Sequence, residues 1–171
     1  MVNNVSDMLK GVDLFSSLTD EQIEKMASLA IKTHYKRDQS IILEDDSENQ
    51  ALFLIAEGEV KVYMSGTDGR ETILSLLGPG DFFGEMSLLD GDPRSASVKS
   101  VSAAQILVIR RDDFISLLIK YPDLSMSLLE EMSRRLRKAN RQIGSLSTLT
   151  VYGRIAGTLL SLAEERGKRI H

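Results

Sequence analysis

The chain has 171 residues, 42% hydrophobic and 27% charged, which suits a globular protein of one domain with a tail, or one domain and part of a second. It contains no cysteine, which excludes disulfides, thiolate nucleophiles, cysteine-ligated zinc and iron–sulfur clusters. Residues 1–133 carry 12 basic and 23 acidic side chains, whereas residues 134–171 carry 9 basic and 2 acidic ones. This asymmetry is typical either of a C-terminal end near polyanions or of a solvated basic helix face.

The sequence has no segment that approaches the roughly 20 apolar residues needed to cross a bilayer. The N-terminal residues also lack the basic region and apolar run of a signal peptide. We therefore expect a cytoplasmic protein without a membrane partner, and the absence of cysteine is compatible with a reducing compartment.

The N-terminal region is predicted to be helical to about Thr33. Thr19 is a suitable N-cap, and Gln22, three residues later, completes a capping box. Apolar residues then follow at helical spacing: Ile23, Met26, Ala27, Leu29 and Ala30.

The middle of the chain, residues 34–110, consists of short apolar runs separated by polar turns, which is typical of an antiparallel β barrel. The predicted strand segments are 41–43, 52–55, 60–63, 72–74 and 106–109. Asp68-Gly69 favours a hairpin because glycine adopts positive φ without steric cost. The predicted fold class is therefore mainly β, an antiparallel barrel of the jelly-roll (double-stranded β-helix) type with flanking helices.

From Arg111 the pattern becomes helical again. A short helix opening at Asp112 or Asp113 is predicted to run through Lys120, and Pro122 begins a long helix, where its missing N–H costs nothing. This helix carries an apolar seam at heptad spacing: Leu129, Met132, Leu136, Ala139, Ile143 and Leu146. The seam suits packing on the protein's own barrel or a parallel dimer, and the length of the helix favours the dimer. Residues 147–150 break the pattern and predict a hinge.

The informative stretch is residues 80–98, Gly-Asp-Phe-Phe-Gly-Glu-Met-Ser-Leu-Leu-Asp-Gly-Asp-Pro-Arg-Ser-Ala-Ser-Val. Gly84 permits close backbone approach, and a short helix opening at Glu85 presents N–H groups suited to a phosphate. Arg94 supplies a permanent planar cation, and Ser95 adds a hydroxyl and an N–H group. Glu85 is a good acceptor for a sugar hydroxyl, so the group matches a ribose that carries one phosphate charge.

In order and spacing, this stretch resembles the phosphate-binding cassette of cyclic-nucleotide-binding domains, and we call residues 84–95 the cassette. The resemblance extends over most of the chain. It implies that Glu85 bonds the ribose 2′-hydroxyl, and that Arg94 and Ser95 hold the cyclic phosphate with the backbone at Gly84 and Met86. Ser87 is included among the predicted ligand-binding residues.

The resemblance further implies that the purine reaches the long helix, where the best-known cyclic-AMP-responsive members have adjacent threonine and serine. Ala139 and Asn140 occupy those positions here. Asn140 can hydrogen-bond a purine edge, whereas Ala139 cannot and also fits the apolar seam. Asn140 is therefore the predicted base contact, with cyclic AMP or cyclic GMP as the allosteric ligand and no other cofactor.

The C-terminal residues 151–160 resemble the opening of the DNA-binding domain in catabolite-activator (Crp/Fnr) transcription regulators. The implied organisation is a nucleotide-binding barrel at 1–121, a dimerisation helix at 122–147, and a hinge with the first helix of a truncated DNA-binding domain at 148–171. Contacts with DNA and RNA polymerase are expected only in a full-length protein. The alternatives are a stand-alone nucleotide-binding subunit and a family member that responds to a different effector.

Enzymatic readings of the sequence are weak. A cupin-type metal centre needs several histidines, and only His34 and His171 are present. His34 is conceivable as a haem ligand but is more simply a surface or packing residue. No histidine base accompanies a particular serine, so a catalytic triad is not indicated. We therefore predict neither a catalytic residue nor a metal ligand.

Overall fold

The computed structural model describes residues 4–48, 50–66 and 68–148, Thr150, and a few positions beyond it. The chain divides into two compact units, Met1–Leu128 and Leu129–His171. The first unit contains the β structure and the N-terminal helices, and the second contains most of the long helix.

Eight antiparallel strands are found among the described residues, in two sheets of four. The strands are β1 (Ile31–Tyr35), β2 (Ser40–Ile42), β3 (Ala51–Glu57), β4 (Val60–Ser65), β5 (Glu71–Leu77), β6 (Phe82–Phe83), β7 (Ser97–Ser100) and β8 (Ala104–Arg110). One sheet has the order β1-β8-β3-β6 and the other β2-β7-β4-β5. The crossovers between the sheets confirm the predicted antiparallel jelly-roll class.

The core between the sheets is apolar and closely packed. Its buried members are Ile42, Ala51, Phe53, Ile55, Val60, Phe83, Val98, Ala104 and Ile106. Most are β-branched or aromatic residues, which fit a pleated surface and remove large apolar areas from water. The predicted hairpin joins β4 and β5, where Gly69 has φ 78° and the Gly66 amide donates to the Arg70 carbonyl at 2.8 Å.

In chain order, helices precede the strands of the first unit, interrupt them once between β6 and β7, and follow them. They are α1 (Val5–Lys10), a short 3₁₀ turn (Asp13–Phe15), α2 (Asp20–Ala27), α3 (Glu85–Asp90), α4 (Arg111–Lys120) and the start of α5 (Pro122–Thr148). The predicted capping box is present: the Thr19 amide donates to Gln22 Oε1 at 2.8 Å, and the Gln22 amide donates to Thr19 Oγ1 at 3.4 Å.

The expectation of a helical region to about Thr33 is wrong. Helix α2 ends at Ala27, and Ile31–Tyr35 forms strand β1, paired antiparallel with β8 from Ile31 opposite Val108 to Tyr35 opposite Ala104. The local apolar spacing continued the helical pattern, but Ile31 and Thr33 are β-branched, and the β8 edge provides hydrogen-bond partners that a helix would leave unused.

The long helix begins at Pro122, as predicted, and runs for 27 residues to Thr148. Ser147 and Thr148 are still helical, and Leu149 lies outside the described residues, so the hinge at 147–150 stays a prediction. The three-part domain division stays a prediction, because most of residues 149–171 also lies outside the described part.

The described helices include none that is long and apolar enough to cross a membrane. In the same part of the chain, His, Asp and Glu side chains form no cluster suited to a metal ion.

Candidate functional site

The cassette connects the two sheets between β6 and β7 and contains α3. Gly84 is the N-cap of α3 and has φ 85°, a left-handed conformation that favours glycine. It supplies no side-chain cap, so the first N–H groups of the helix have no side-chain partner from that position. Gly91 ends α3 with a similar φ of 81°.

Arg94 is the buried basic residue of the cassette and is 4% exposed. Its Nη1 donates to the Gly84 carbonyl at 2.8 Å and its Nη2 to the Ala51 carbonyl at 3.3 Å. The guanidinium lies 5.6 Å from the centroid of the Phe53 ring, which is stacked on Phe83. The carbonyl of Ala51 on β3, the carbonyl of Gly84 at the start of α3 and an aromatic face thus hold the cation in one orientation.

The Arg94 backbone is held as firmly as its side chain. Its amide donates to the Asp46 carbonyl at 3.0 Å, and its carbonyl accepts from the Asp45 amide at 2.9 Å. Asp45 has φ 65°, so the loop after β2 turns sharply at this contact. Both the N–H and the C=O group of Arg94 are therefore hydrogen-bonded to this loop.

Two carboxylates lie close to the buried cation. Burial lowers the pKa of the Arg94 guanidinium below its ordinary value, and the charges of Asp46 and Glu85 offset this lowering only in part. Glu85 is itself 5% exposed and occupies the first turn of α3. Because a guanidinium is ionised far above neutral pH, the site contains a permanent cation accompanied by two carboxylates.

Met86 and Ser95 meet at the rim of the cassette. Both are exposed, and the Ser95 hydroxyl donates to the Met86 sulfur at 3.7 Å. Ser87, by contrast, is 3% exposed, and its hydroxyl has no hydrogen-bond partner among the described residues. The structure thus brings the two predicted halves of the cassette, 84–87 and 94–95, into contact.

Asn140, the predicted base contact, belongs to the second unit. It is exposed on α5, as is its neighbour Ala139. Its role toward a base stays a prediction.

Two residues that the sequence did not single out anchor the far end of α3. Arg111 Nε donates to the Leu88 carbonyl at 2.9 Å, and Gln50 Nε2 donates to the Gly91 carbonyl at 3.2 Å. The two anchors are joined because the Arg111 amide donates to the Gln50 carbonyl at 3.2 Å. No local motif marks these residues. They lie close to α3 only because of the way in which β3, β8 and α4 are arranged in the fold.

This geometry offers one oriented guanidinium, a first-turn carboxylate and a rim hydroxyl around a tight backbone turn. Such a set can hold a singly charged phosphate through the cation and the hydroxyl, and a neighbouring hydroxyl through the carboxylate.

The comparisons with known proteins agree with this chemistry. Residues 32–121 match the family model of the cyclic nucleotide-binding domain, which covers more than half of the chain. The cyclic AMP receptor protein of Thermus thermophilus is 36% identical over 157 residues, which cover 92% of this chain and 72% of that protein.

Solved structures show the same relationship. The catabolite activator protein of Thermus thermophilus has a TM-score of 0.71 and 36% identity, covering 79% of this chain and 63% of that one. The regulatory domain of Toxoplasma gondii PKA, crystallised with cAMP, has a TM-score of 0.60 and 30% identity, covering 67% of this chain and 43% of that one. The chain therefore belongs to the cyclic nucleotide-binding domain family, and within it to the Crp-type transcription regulators.

Proposed function

We propose that the chain is the cyclic-nucleotide sensor of a Crp-type transcription regulator and that cyclic AMP is its ligand. The observation that carries this proposal is the buried Arg94 guanidinium, held by the Gly84 carbonyl beside Glu85. The choice of cyclic AMP is supported by the 36% identical cyclic AMP receptor protein and by the related domain crystallised with cAMP.

The charges of the site favour a cyclic phosphate over an open one. A cyclic phosphodiester carries one negative charge, which a single guanidinium balances. A phosphate monoester carries close to two at neutral pH, and the second would meet the carboxylates of Asp46 and Glu85. We therefore expect the site to discriminate against 5′-AMP.

Each predicted ligand residue of the cassette has a part in this proposal. Arg94 and Ser95 hold the phosphate together with the backbone at Gly84 and Met86, and Glu85 accepts from the ribose 2′-hydroxyl. Ser87 remains in the set because a ligand oxygen would satisfy its buried hydroxyl, which otherwise costs free energy.

The primary test is isothermal titration of the chain with cyclic AMP, cyclic GMP and 5′-AMP in parallel. The expected result is binding of cyclic AMP with little or no heat from 5′-AMP. A preference for cyclic GMP would show that the site recognises guanine instead of adenine. No heat and no thermal stabilisation with either cyclic nucleotide would contradict the proposal and point to another effector.

Glu85→Gln is expected to weaken cyclic AMP binding by about 10-fold, because a hydrogen bond to a charged acceptor contributes roughly 1.5 kcal/mol or more. Its affinity for 2′-deoxy cyclic AMP should change much less, since that ligand lacks the hydroxyl that Glu85 accepts from. The measurement is the ratio of the two dissociation constants in each protein. An unchanged ratio in the variant would show that Glu85 does not accept a hydrogen bond from the ribose 2′-hydroxyl.

We also propose that the regulator is a dimer formed along α5. Leu129, Leu136 and Ile143 lie seven residues apart and are each more than 60% exposed, and Met132 is half-buried. Exposed leucine and isoleucine at heptad spacing are typical of a helix that pairs with a second copy. Ala139 and Leu146 complete the proposed seam.

Leu136→Asp is expected to convert the dimer into a monomer, because two carboxylates would face each other in an apolar seam. Arg141→Asp is the matched control, since Arg141 is exposed and lies five residues after Leu136, off the seam. Light scattering after size-exclusion chromatography measures the mass of each variant. A monomeric wild-type protein, or a dimer that survives Leu136→Asp, would contradict the proposed interface.

In the full-length regulator, we propose that nucleotide binding repositions the long helix and so controls DNA binding, with RNA polymerase as the downstream partner. Such a protein acts in the cytoplasm. The competing function is a stand-alone nucleotide-binding subunit, which the kinase regulatory domain among the similar structures favours. Sequencing the gene beyond His171 separates the two, because only the regulator requires a helix-turn-helix there.

A further inference from the structure

Met86 is an exposed methionine of the cassette. It is the second residue of α3, it is 52% exposed, and its sulfur accepts a hydrogen bond from the Ser95 hydroxyl at 3.7 Å. A thioether is a weak acceptor, so this contact leaves the hydroxyl readily available to a phosphate. A change in the acceptor strength of the Met86 sulfur would therefore change how readily the Ser95 hydroxyl donates to a phosphate.

We propose that Met86 is an oxidation site through which peroxides weaken anion binding at the cassette, an inference that rests on the proposed nucleotide-binding function. In the reaction, the thioether sulfur attacks one oxygen of hydrogen peroxide and the O–O bond breaks. The oxygen remains on sulfur as methionine sulfoxide, and the other oxygen leaves as water with both protons. Sulfur loses two electrons and the peroxide gains them.

The sulfoxide changes the site in two ways. Its oxygen carries partial negative charge and is a much stronger acceptor than a thioether, so it retains the Ser95 hydroxyl. The same negative oxygen lies at the rim where a phosphate would approach Arg94 and Ser95. Both effects oppose an anion, and we expect the dissociation constant for cyclic AMP to rise at least about 10-fold.

The other methionines provide internal controls. Met26 is fully buried and should resist oxidation, whereas Met64 on β4 (41% exposed) and Met126 on α5 (56% exposed) should oxidise. Neither of these exposed residues belongs to the cassette. Because the sequence contains no cysteine, thiol oxidation cannot account for any effect of peroxide.

The experiment treats the wild-type chain, Met86→Leu and Met64→Leu with graded hydrogen peroxide, which is then removed with catalase. Peptide mass spectrometry measures the sulfoxide at each methionine, and titration measures the dissociation constant of each protein before and after treatment. In wild type and Met64→Leu, the loss of affinity should follow the Met86 sulfoxide fraction and reverse with methionine sulfoxide reductases A and B. In Met86→Leu, the dissociation constant should stay at that variant's own untreated value.

Two results would overturn the inference: an equal loss of affinity in treated Met86→Leu, or full Met86 oxidation in wild type without a change in affinity. Failure of the proposed function is distinguishable, because untreated wild-type protein would then bind no cyclic nucleotide.

Discussion

Arg94→Ala is expected to weaken cyclic AMP binding by at least about 100-fold, which is the largest effect on binding that we predict. The guanidinium is the cation proposed to face the phosphate, and two charge-assisted hydrogen bonds contribute roughly 3 kcal/mol or more together. The change also leaves the carbonyls of Gly84 and Ala51 without these donors, and Asp46 and Glu85 without the cation that offsets their charge. We therefore expect a loss of stability as well, of about 3 kcal/mol.

The loss of binding must be separated from the loss of folding. Arg94→Lys keeps the charge but not the planar fork that reaches two carbonyls, and it should bind with intermediate affinity. Arg70→Ala removes an exposed arginine from the β4–β5 hairpin and should leave affinity unchanged. Titration combined with thermal unfolding of all three variants provides the comparison. If a folded Arg94→Ala protein bound cyclic AMP normally, the ligand site would lie elsewhere.

Gly84→Ala is expected to weaken binding at least about 10-fold and to lower the free energy of unfolding by roughly 2–4 kcal/mol. At φ 85° any side chain is strained. A Cβ at this position would also lie 2.8 Å from both the Ala51 carbonyl oxygen and Arg94 Nη1, and 3.1 Å from the Phe53 ring. The added methyl group must therefore displace the guanidinium that the proposed site requires.

The matched control is Gly91→Ala, at the other end of the same helix. Gly91 has nearly the same φ, 81°, but a Cβ there would meet no atom within 4 Å. This variant should show only the backbone strain, about 1–2 kcal/mol, with little change in affinity. Denaturant unfolding and titration measure both quantities. Equal effects of the two substitutions would show that the close packing of Gly84 on Arg94 does not matter.

Local sequence was sufficient for much of the architecture. The capping box at Thr19, the hairpin at Gly69, the short helix at Glu85 and the long helix from Pro122 were all predicted, because each depends on residues close together in the chain. Strands β1, β6 and β7 were missed. Strands β6 and β7 are short, and β1 directly follows a helical pattern of apolar residues. The pairing partners of all three strands are distant in sequence.

The same division applies to the site. The order and spacing of residues 84–95 sufficed to identify the cassette, because a glycine turn, a first-turn carboxylate and an arginine form a local chemical pattern. The support under Arg94 came from Ala51 and Phe53, more than 40 residues away, and no periodicity connects them to it.

What the amino-acid sequence determined by itself is therefore the family, the fold class and the identity of the charged groups, since these depend on residue type and short spacing. Only the tertiary structure decided that Arg94 is buried and oriented by the carbonyls of Ala51 and Gly84, that Arg111 and Gln50 anchor α3, and that Met86 contacts Ser95. Sheet order and core packing produce these contacts, and the spacing of residues along the chain does not predict them.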